Sequence, residues 1–400
     1  MNPTIAYDEY VLHTANRSLT LLHGQGATVF DDKNRPYLDF GTGIAVSCLG
    51  HDHPALAEVY ARQSRRLIHC SNLYRNEHAG ALAERLVGLL GPGKIFYSNS
   101  GAEANEGLIK AARLFGKDRG AFEIVCTKDS FHGRTMATLS ATGQEKVQAG
   151  FAPLVPGFVH VPYNDLEAVR AAITPRTAAV LIEGIQGESG ILPADPEYLL
   201  GLRALTREKN VLLFIDAIQC GHFRTGAYQS FQRILGERAA EFRPDGLSMA
   251  KSLGGGFPIG AFWLDERLAP LFTVGSHNTT YGGSPLGTAV AGAVLDVIER
   301  EGLAANVRAR GEELLSGLRA LQGKHGGLVA GVRGFGALVG LQLAAEPAQA
   351  MPHFLEAGLL VVPAGNKTVR YLPPYNVTAA EVADALARTD AALAKLAAAA

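Results

Sequence analysis

Residues 94–115, KIFYSNSGAEANEGLIKAARLF, decide the fold class. KIFYSNS over 94–100 reads as a strand running into a turn, and GAEANEGLIKAARLF over 101–115 as the helix that follows. The same short apolar runs, each bounded by glycine, proline or charge, recur in IVC at 124–126, AAVLIEGI at 178–185, VLLFID at 211–216 and GLSMA at 246–250. Strands alternating with helical patterns predict an α/β fold, a mostly parallel sheet with helices on both faces.

From Pro285 onward the pattern changes. TAVAGAVLDVIERE and ANVRARGEELLSGLRALQGK read as helices, GALVGLQLA and GLLVVPAG as strands, and a last helix follows Thr378. ATVFDDKNRPYLDF, near the start, reads as two extended segments around an Asn-containing turn. These readings divide the chain into a large ligand-binding domain over 61–294 and a smaller α+β domain over 295–400. The segment 1–60 is assigned to the smaller one.

The 400 residues are 47% hydrophobic and 19% charged, enough for a large core and incompatible with disorder of the whole. A net charge of −1 supplies no global field for nucleic acid or an anionic membrane, so the expected partner is a small molecule. Cys48, Cys70, Cys126 and Cys220 are far apart and without a C-x-x-C pair, which fits a reducing compartment. MNPTIAYDEY lacks the apolar segment of a signal peptide, and no run of ~18 uncharged apolar residues occurs. The expectation is a soluble cytoplasmic protein.

Three elements carry chemistry. At Asn99-Ser100-Gly101-Ala102 a helix N-terminus offers free N–H groups and a hydroxyl to an anion, although an ordinary serine cap explains the same residues. Asp216 ends a fully apolar strand, where a carboxylate is costly unless it meets a cation or donors; a loop-tethering aspartate is the alternative. Lys251 leaves another apolar strand towards Gly254, Gly255 and Gly256. A lysine is usually a solvated surface group, but one desolvated at a strand end can act as an amine nucleophile towards a carbonyl. A phosphate cradle, an acid and an amine together match the needs of pyridoxal 5′-phosphate.

NSGAEAN, SFHGRT, IEGIQGESG, DAIQCGHFRTG, AKSLGGGFPIGA and TTYGGSPLGTA, in this order, resemble the class III (fold type I) aminotransferases over nearly the whole chain. The resemblance implies pyridoxal 5′-phosphate as cofactor, with Lys251 bonded to it and moving the proton between Cα and C4′. Asp216 would pair with the pyridine nitrogen and Gln219 with the ring hydroxyl. Ser100, Gly101 and Ala102 would hold the phosphate, and Phe131 and Ile218 would cover the two ring faces. Thr280 would reach the phosphate of a partner subunit, making a homodimer with shared active sites.

For substrates, the resemblance assigns the α-carboxylate of the amine donor to Arg134 and the dicarboxylate, glutamate or 2-oxoglutarate, to Arg370. Glu188 would mask Arg370 when an ω-amine is bound, and Thr279 is either a substrate contact or a plain turn residue. Within the class the resemblance points to the acetylornithine branch, transferring the terminal amine of N-acetylornithine to 2-oxoglutarate in arginine biosynthesis. Ornithine, succinylornithine and other ω-amino acids are the alternatives, with a same-fold aminomutase less favoured.

His132 is expected to satisfy the backbone of its own loop. Four departures from the family pattern are Ala217 for an acid, Phe223 for a glycine, Gly184 for a proline and Ser284 for an asparagine. Ala217 and Phe223 are expected beside the cofactor, with consequences for rate or substrate preference.

Overall fold

The computed structural model describes residue 7 and residues 9–399. Residues 1–6 and 8, part of the segment read as lacking a signal peptide, lie outside them. Seven strands form the central sheet in the order Gly93–Ser98, Gly260–Asp265, Gly246–Met249, Leu212–Asp216, Thr177–Glu183, Glu123–Thr127 and Phe158–Val161. Gly260–Asp265 runs antiparallel to both its neighbours, and the remaining pairings are parallel.

Every residue of Thr177–Glu183 and of Leu212–Asp216 is buried, so these strands need cover on both faces. Alternation supplies it. Val180, Ile182, Leu213 and Ile215 face a core with Leu82 and Leu86 of the helix Glu77–Leu90 and Leu199, Leu202 and Leu205 of the helix Pro196–Glu208. Ala179, Leu181, Leu212 and Phe214 face the opposite core, built with Leu108, Ile109, Ala111 and Ala112 of the helix Gly101–Gly116. Each fully buried Leu, Ile or Val contributes about 1.5–3 kcal/mol, so the central strands anchor the sheet.

Besides a short antiparallel pair, Ile185–Gln186 with Leu192–Pro193, two four-stranded sheets occur among the described residues. Val329–Phe335, Leu338–Leu343, Thr368–Tyr371 and Val362–Ala364 form one, all antiparallel. In the other, Leu21–Gln25, Thr28–Asp31 and Pro36–Asp39 are joined by Leu359–Leu360, which lies parallel to Pro36–Asp39. The turn between the second and third of these strands carries Asn34 at φ +58°, a conformation Asn tolerates. GLLVVPAG, read as one strand, is thus divided between two sheets. The helix Pro285–Arg300 runs unbroken through residues 294 and 295, so a boundary there falls inside a helix. Ser284 caps that helix by accepting from the N–H of Gly287, a task for which Ser and Asn are equivalent. No helix among the described residues is long and apolar enough to cross a membrane.

Gly184, where the family pattern has proline, is fixed by packing. A Cβ there would fall 2.3 Å from Ser230 Oγ. Gly184→Ala is expected to destabilise the protein by about 1–3 kcal/mol, as overpacking does, and Ser230→Ala in the same chain to recover most of the loss. Denaturant titration of the single and double variants measures this; a single variant as stable as the parent would show that the clash is relieved at no cost.

Candidate active site

The parallel strands place their C-terminal ends on one edge of the sheet, with Asp216 in register with Glu183 on one side and Ser248 on the other. That edge opens onto a cavity of about 450 Å³. Ser100, Gly101, Ala102, Phe131, Arg134, Glu188, Asp216, Ile218, Gln219 and Lys251, ten of the thirteen residues predicted, line it. Arg370, Thr279 and Thr280 do not.

Asp216 is buried and held through both of its oxygens. Its Oδ2 accepts from Asn105 Nδ2 at 2.7 Å and from His132 Nδ1 at 2.8 Å. Its Oδ1 accepts from the N–H of Ile218 at 3.1 Å and from Ser248 Oγ at 3.4 Å. Bonding to a carboxylate acceptor places the His132 proton on Nδ1. Asn105 also donates to the His132 carbonyl at 2.8 Å, so three side chains fix one another. His132 therefore serves Asp216 with its ring, correcting the expectation that it would satisfy only its loop.

Lys251 follows the strand Gly246–Met249 by two residues and has φ +48°, a left-handed conformation that costs a non-glycine residue on the order of 1–2 kcal/mol. Among the described residues its Nζ has no hydrogen bond or ion pair. Burial lowers its pKa from the usual lysine value and Arg370 adds to the effect, against the opposing charges of Glu188, Asp216 and Glu183. The downward shift favours the neutral amine, which is the nucleophilic form.

The helix Gly101–Gly116 begins at the cavity. Ser100 Oγ accepts from the N–H of Glu103 at 3.2 Å, and Glu103 Oε2 returns to accept from the N–H of Asn99 at 2.6 Å. The serine is thus a true cap, as the plainer reading had it. The N–H groups of Gly101 and Ala102 have no intrahelical acceptor and remain for an anion. A Cβ on Gly101 would fall 2.7 Å from Ile218 Cδ1, so glycine keeps this corner open.

Arg370 lies behind Glu188, with its side chain 1% exposed. Its Nη1 donates to Glu188 Oε1 at 2.6 Å and its Nη2 to Glu188 Oε2 at 3.0 Å, a bidentate pair. Gln219 is bound to both partners, accepting from Arg370 Nη1 at 3.0 Å and donating to Glu188 Oε1 at 3.3 Å. Burial would raise the Glu188 pKa, but the Arg370 guanidinium and, less so, Lys251 more than offset it and the net shift is downward. Arg134, by contrast, is exposed at the mouth, its guanidinium 5.4 Å from the Phe131 ring centroid.

These residues fit pyridoxal 5′-phosphate. An anion cradle at a helix end, two apolar walls in Phe131 and Ile218, an acid held by four donors and a free amine all open on one cavity. The class-III aminotransferase family model matches residues 12–393. The chain belongs to the class-III aminotransferases. It is 47% identical to an acetylornithine aminotransferase of Gloeobacter violaceus over 98% of this chain and 97% of that one. With an acetylornithine aminotransferase of Caldanaerobacter subterraneus it shares 42% identity over 98% and 99%. Among solved structures, the ornithine aminotransferase of Toxoplasma gondii superposes with a TM-score of 0.93 at 29% identity, covering 99% of this chain and 95% of that one. The enzyme is a pyridoxal 5′-phosphate-dependent aminotransferase acting on small-molecule substrates.

Cavity residues of this aminotransferase that escaped the sequence reading include Val46, Glu183, Phe257, Pro258 and Ile259, together with His132 in its role as the Asp216 partner. Glu183 ends the strand Thr177–Glu183 as Asp216 ends its own, an acid closing an apolar run, and that signal was available. Burial, then the charges of Asp216 and Glu188, push its pKa well above the usual carboxylate range. Thr279 Oγ1 accepts from Asn99 Nδ2 at 2.9 Å, tying its loop to the anion turn, while Thr280 is exposed. Ala217 is 2% exposed in the core and neither it nor Phe223 lines the cavity, which corrects the placement of both beside the cofactor. Phe223 instead occupies a left-handed turn at φ +67°, where glycine is the unstrained choice.

Proposed function

We propose that this aminotransferase transfers the terminal amine of N-acetylornithine to 2-oxoglutarate, giving N-acetylglutamate semialdehyde and glutamate, as a step of arginine biosynthesis in the cytoplasm. The observation that carries the reading is the contrast between the two arginines. Arg134 is open to a carboxylate at the cavity mouth, whereas Arg370 is masked by the Glu188 carboxylate and is released only when Glu188 turns away. One cavity then accepts an amine chain with Arg370 masked and a dicarboxylate with Arg370 bare.

Bound at this site, pyridoxal 5′-phosphate supplies the electron sink for the amine's Cα–H bond. Asp216 keeps the pyridine nitrogen protonated, and Asn105 and His132 hold the carboxylate in place. The N–H groups of Gly101 and Ala102 and the Ser100 hydroxyl would receive the phosphate, Phe131 and Ile218 would confine the ring, and Gln219 would meet the ring hydroxyl. Lys251 would hold the cofactor through its amine and would move the proton. A large unit over 61–294 and a smaller one of 295–400 with 1–60 belong to the same proposal, with the helix Pro285–Arg300 spanning their border.

A homodimer with shared sites is supported by exposed apolar surface. Leu67, Ile68, Leu73, Tyr74 and Tyr281 are each about half or more exposed, and Asn72 ties their two segments together by donating to Asn278 Oδ1 and the Thr279 carbonyl. Thr280, exposed and outside the lining of its own cavity, adjoins Tyr281 on this patch, where a second copy would meet it.

Comparing kcat/KM for N-acetylornithine, N-succinylornithine and ornithine with 2-oxoglutarate tests the substrate. N-acetylornithine is expected to exceed ornithine by at least about tenfold, the low end of what one small apolar group in a pocket discriminates. Ornithine as the better donor would replace the reading with the ornithine alternative, and amine conversion without glutamate would replace it with a mutase.

A further inference from the structure

Arg224 is a fully buried cation without a carboxylate partner among the described residues. Its Nη1 donates to the carbonyls of Pro373 at 2.6 Å and Ala337 at 3.4 Å, and its Nη2 to the carbonyl of Ala45 at 3.2 Å and to Ser252 Oγ at 3.3 Å. The guanidinium lies 4.5 Å from the Tyr375 ring centroid. Tyr375 in turn donates its hydroxyl to the His222 carbonyl at 2.7 Å, and Ser252 Oγ donates to the Ala45 carbonyl at 2.9 Å.

The acceptors belong to segments that matter to the site. Ser252 follows Lys251, Pro373 and Tyr375 follow Arg370 within five residues, and Ala45 precedes the cavity residue Val46. A buried guanidinium compensated only by carbonyls, a hydroxyl and a ring is an expensive way to fill space, and an apolar side chain of similar volume is a cheaper plug. The turn that delivers Arg224 adds to the cost, since His222 and Phe223 both have left-handed backbones, at φ +51° and +67°. What an apolar plug cannot do is hold acceptors from four segments on one rigid fork.

We propose that Arg224 is a positioning residue that sets the separation of Lys251 from Arg370, by fastening the turn after the lysine to the segment after the arginine. The inference rests on the roles given above to those two residues. Arg224→Lys in the holoenzyme keeps the charge but not the fork. Two amides report on the two ends: Gly254 N–H, bonded to the Lys251 carbonyl at 3.0 Å, and Tyr375 N–H, bonded to the Cys48 carbonyl at 2.6 Å.

Expected are at least tenfold faster hydrogen exchange at both amides together, a KM for 2-oxoglutarate raised at least tenfold, and cofactor that stays bound. Should Arg224→Lys not fold, Tyr375→Phe, which removes the hydroxyl with its bond to His222 but keeps the ring beside Arg224, is expected to give the same paired pattern at smaller amplitude. Unchanged exchange, exchange that rises at one amide alone, or coupled exchange with an unchanged KM would each overturn the proposal. Failure of the underlying reading shows separately, as a parent enzyme that does not use 2-oxoglutarate.

Discussion

Lys251→Ala is expected to lower transamination by about 10⁴-fold or more, and Lys251→Arg to fare no better. The amine is asked to do two things, to bond the cofactor and to move a proton, and general acid–base catalysis alone accounts for about 10²–10⁴-fold. Arginine keeps the positive charge but neither loses its proton nor attacks a carbonyl, so the pair of variants separates charge from nucleophilicity. The fold should not suffer. Because burial lowers the Lys251 pKa, the ammonium form is disfavoured in the folded cofactor-free protein relative to the unfolded chain. Its cost is largest below the lowered folded value and fades as pH rises towards the ordinary lysine value. The cofactor-free Lys251→Ala protein is therefore expected to be at least as stable as its parent at neutral pH, with a smaller gain from alkaline pH. Single-turnover rates, cofactor absorbance and denaturant titrations across pH check the three statements. A Lys251→Ala protein with parental turnover would remove this lysine from the chemistry.

The central sheet was legible because its strands are buried on both faces and read as uninterrupted apolar runs, IVC, AAVLIE and LLFID, ending in polar residues. Gly260–Asp265 was not, since the glycine-rich GGGFPIG before it reads as loop and blurs where the strand begins. Thr368–Tyr371 hid for a different reason. TVRY is four residues with an arginine inside, and arginine within a strand signals an exposed face; here Arg370 is buried because Glu188, 182 residues earlier, pairs with it. Long-range ion pairing of that kind has no local signature.

The same limit applied at the site. Asp216, Lys251 and the Ser100 turn stand out because each breaks an apolar segment. Asn105 does not, since a polar residue in a helix reads as solvent-facing. It is in fact completely buried, and only the fold shows that its amide serves Asp216, 111 residues away. Family resemblance supplied Arg134, Glu188 and Arg370, whose pairing no spacing encodes. It also suggested that Ala217 and Phe223 would disturb the cofactor, whereas one is in the core and the other in a strained turn, so their effects belong to stability rather than to contact with substrate.

Removing Arg370 and removing Glu188 are expected to have opposite consequences for the dicarboxylate, and the contrast is the sharpest test of a maskable site. Arg370→Ala deletes the buried guanidinium and is expected to reduce kcat/KM for 2-oxoglutarate about 10³-fold, equivalent to about 4 kcal/mol, the scale for losing one partner of a desolvated charge pair. Glu188→Gln leaves Arg370 unmasked. The KM for 2-oxoglutarate should then fall several-fold, while kcat/KM for the amine donor drops, because the bare guanidinium now attracts the donor's carboxylate and misorients the chain. Acid should reproduce part of this in the parent. The Glu188 pKa is lowered in the folded protein, so the pair contributes fully above the ordinary glutamate value near 4.5 and is lost only as pH falls through the lower folded value. Donor selectivity should accordingly be flat from neutral pH down to about that value and decline below it, with Glu188→Gln showing no such decline. Steady-state kinetics of each half-reaction, varied one substrate at a time, measure the contrast. Equal losses for both substrates in both variants would mean that the pair only braces the cavity wall and that the dicarboxylate binds elsewhere.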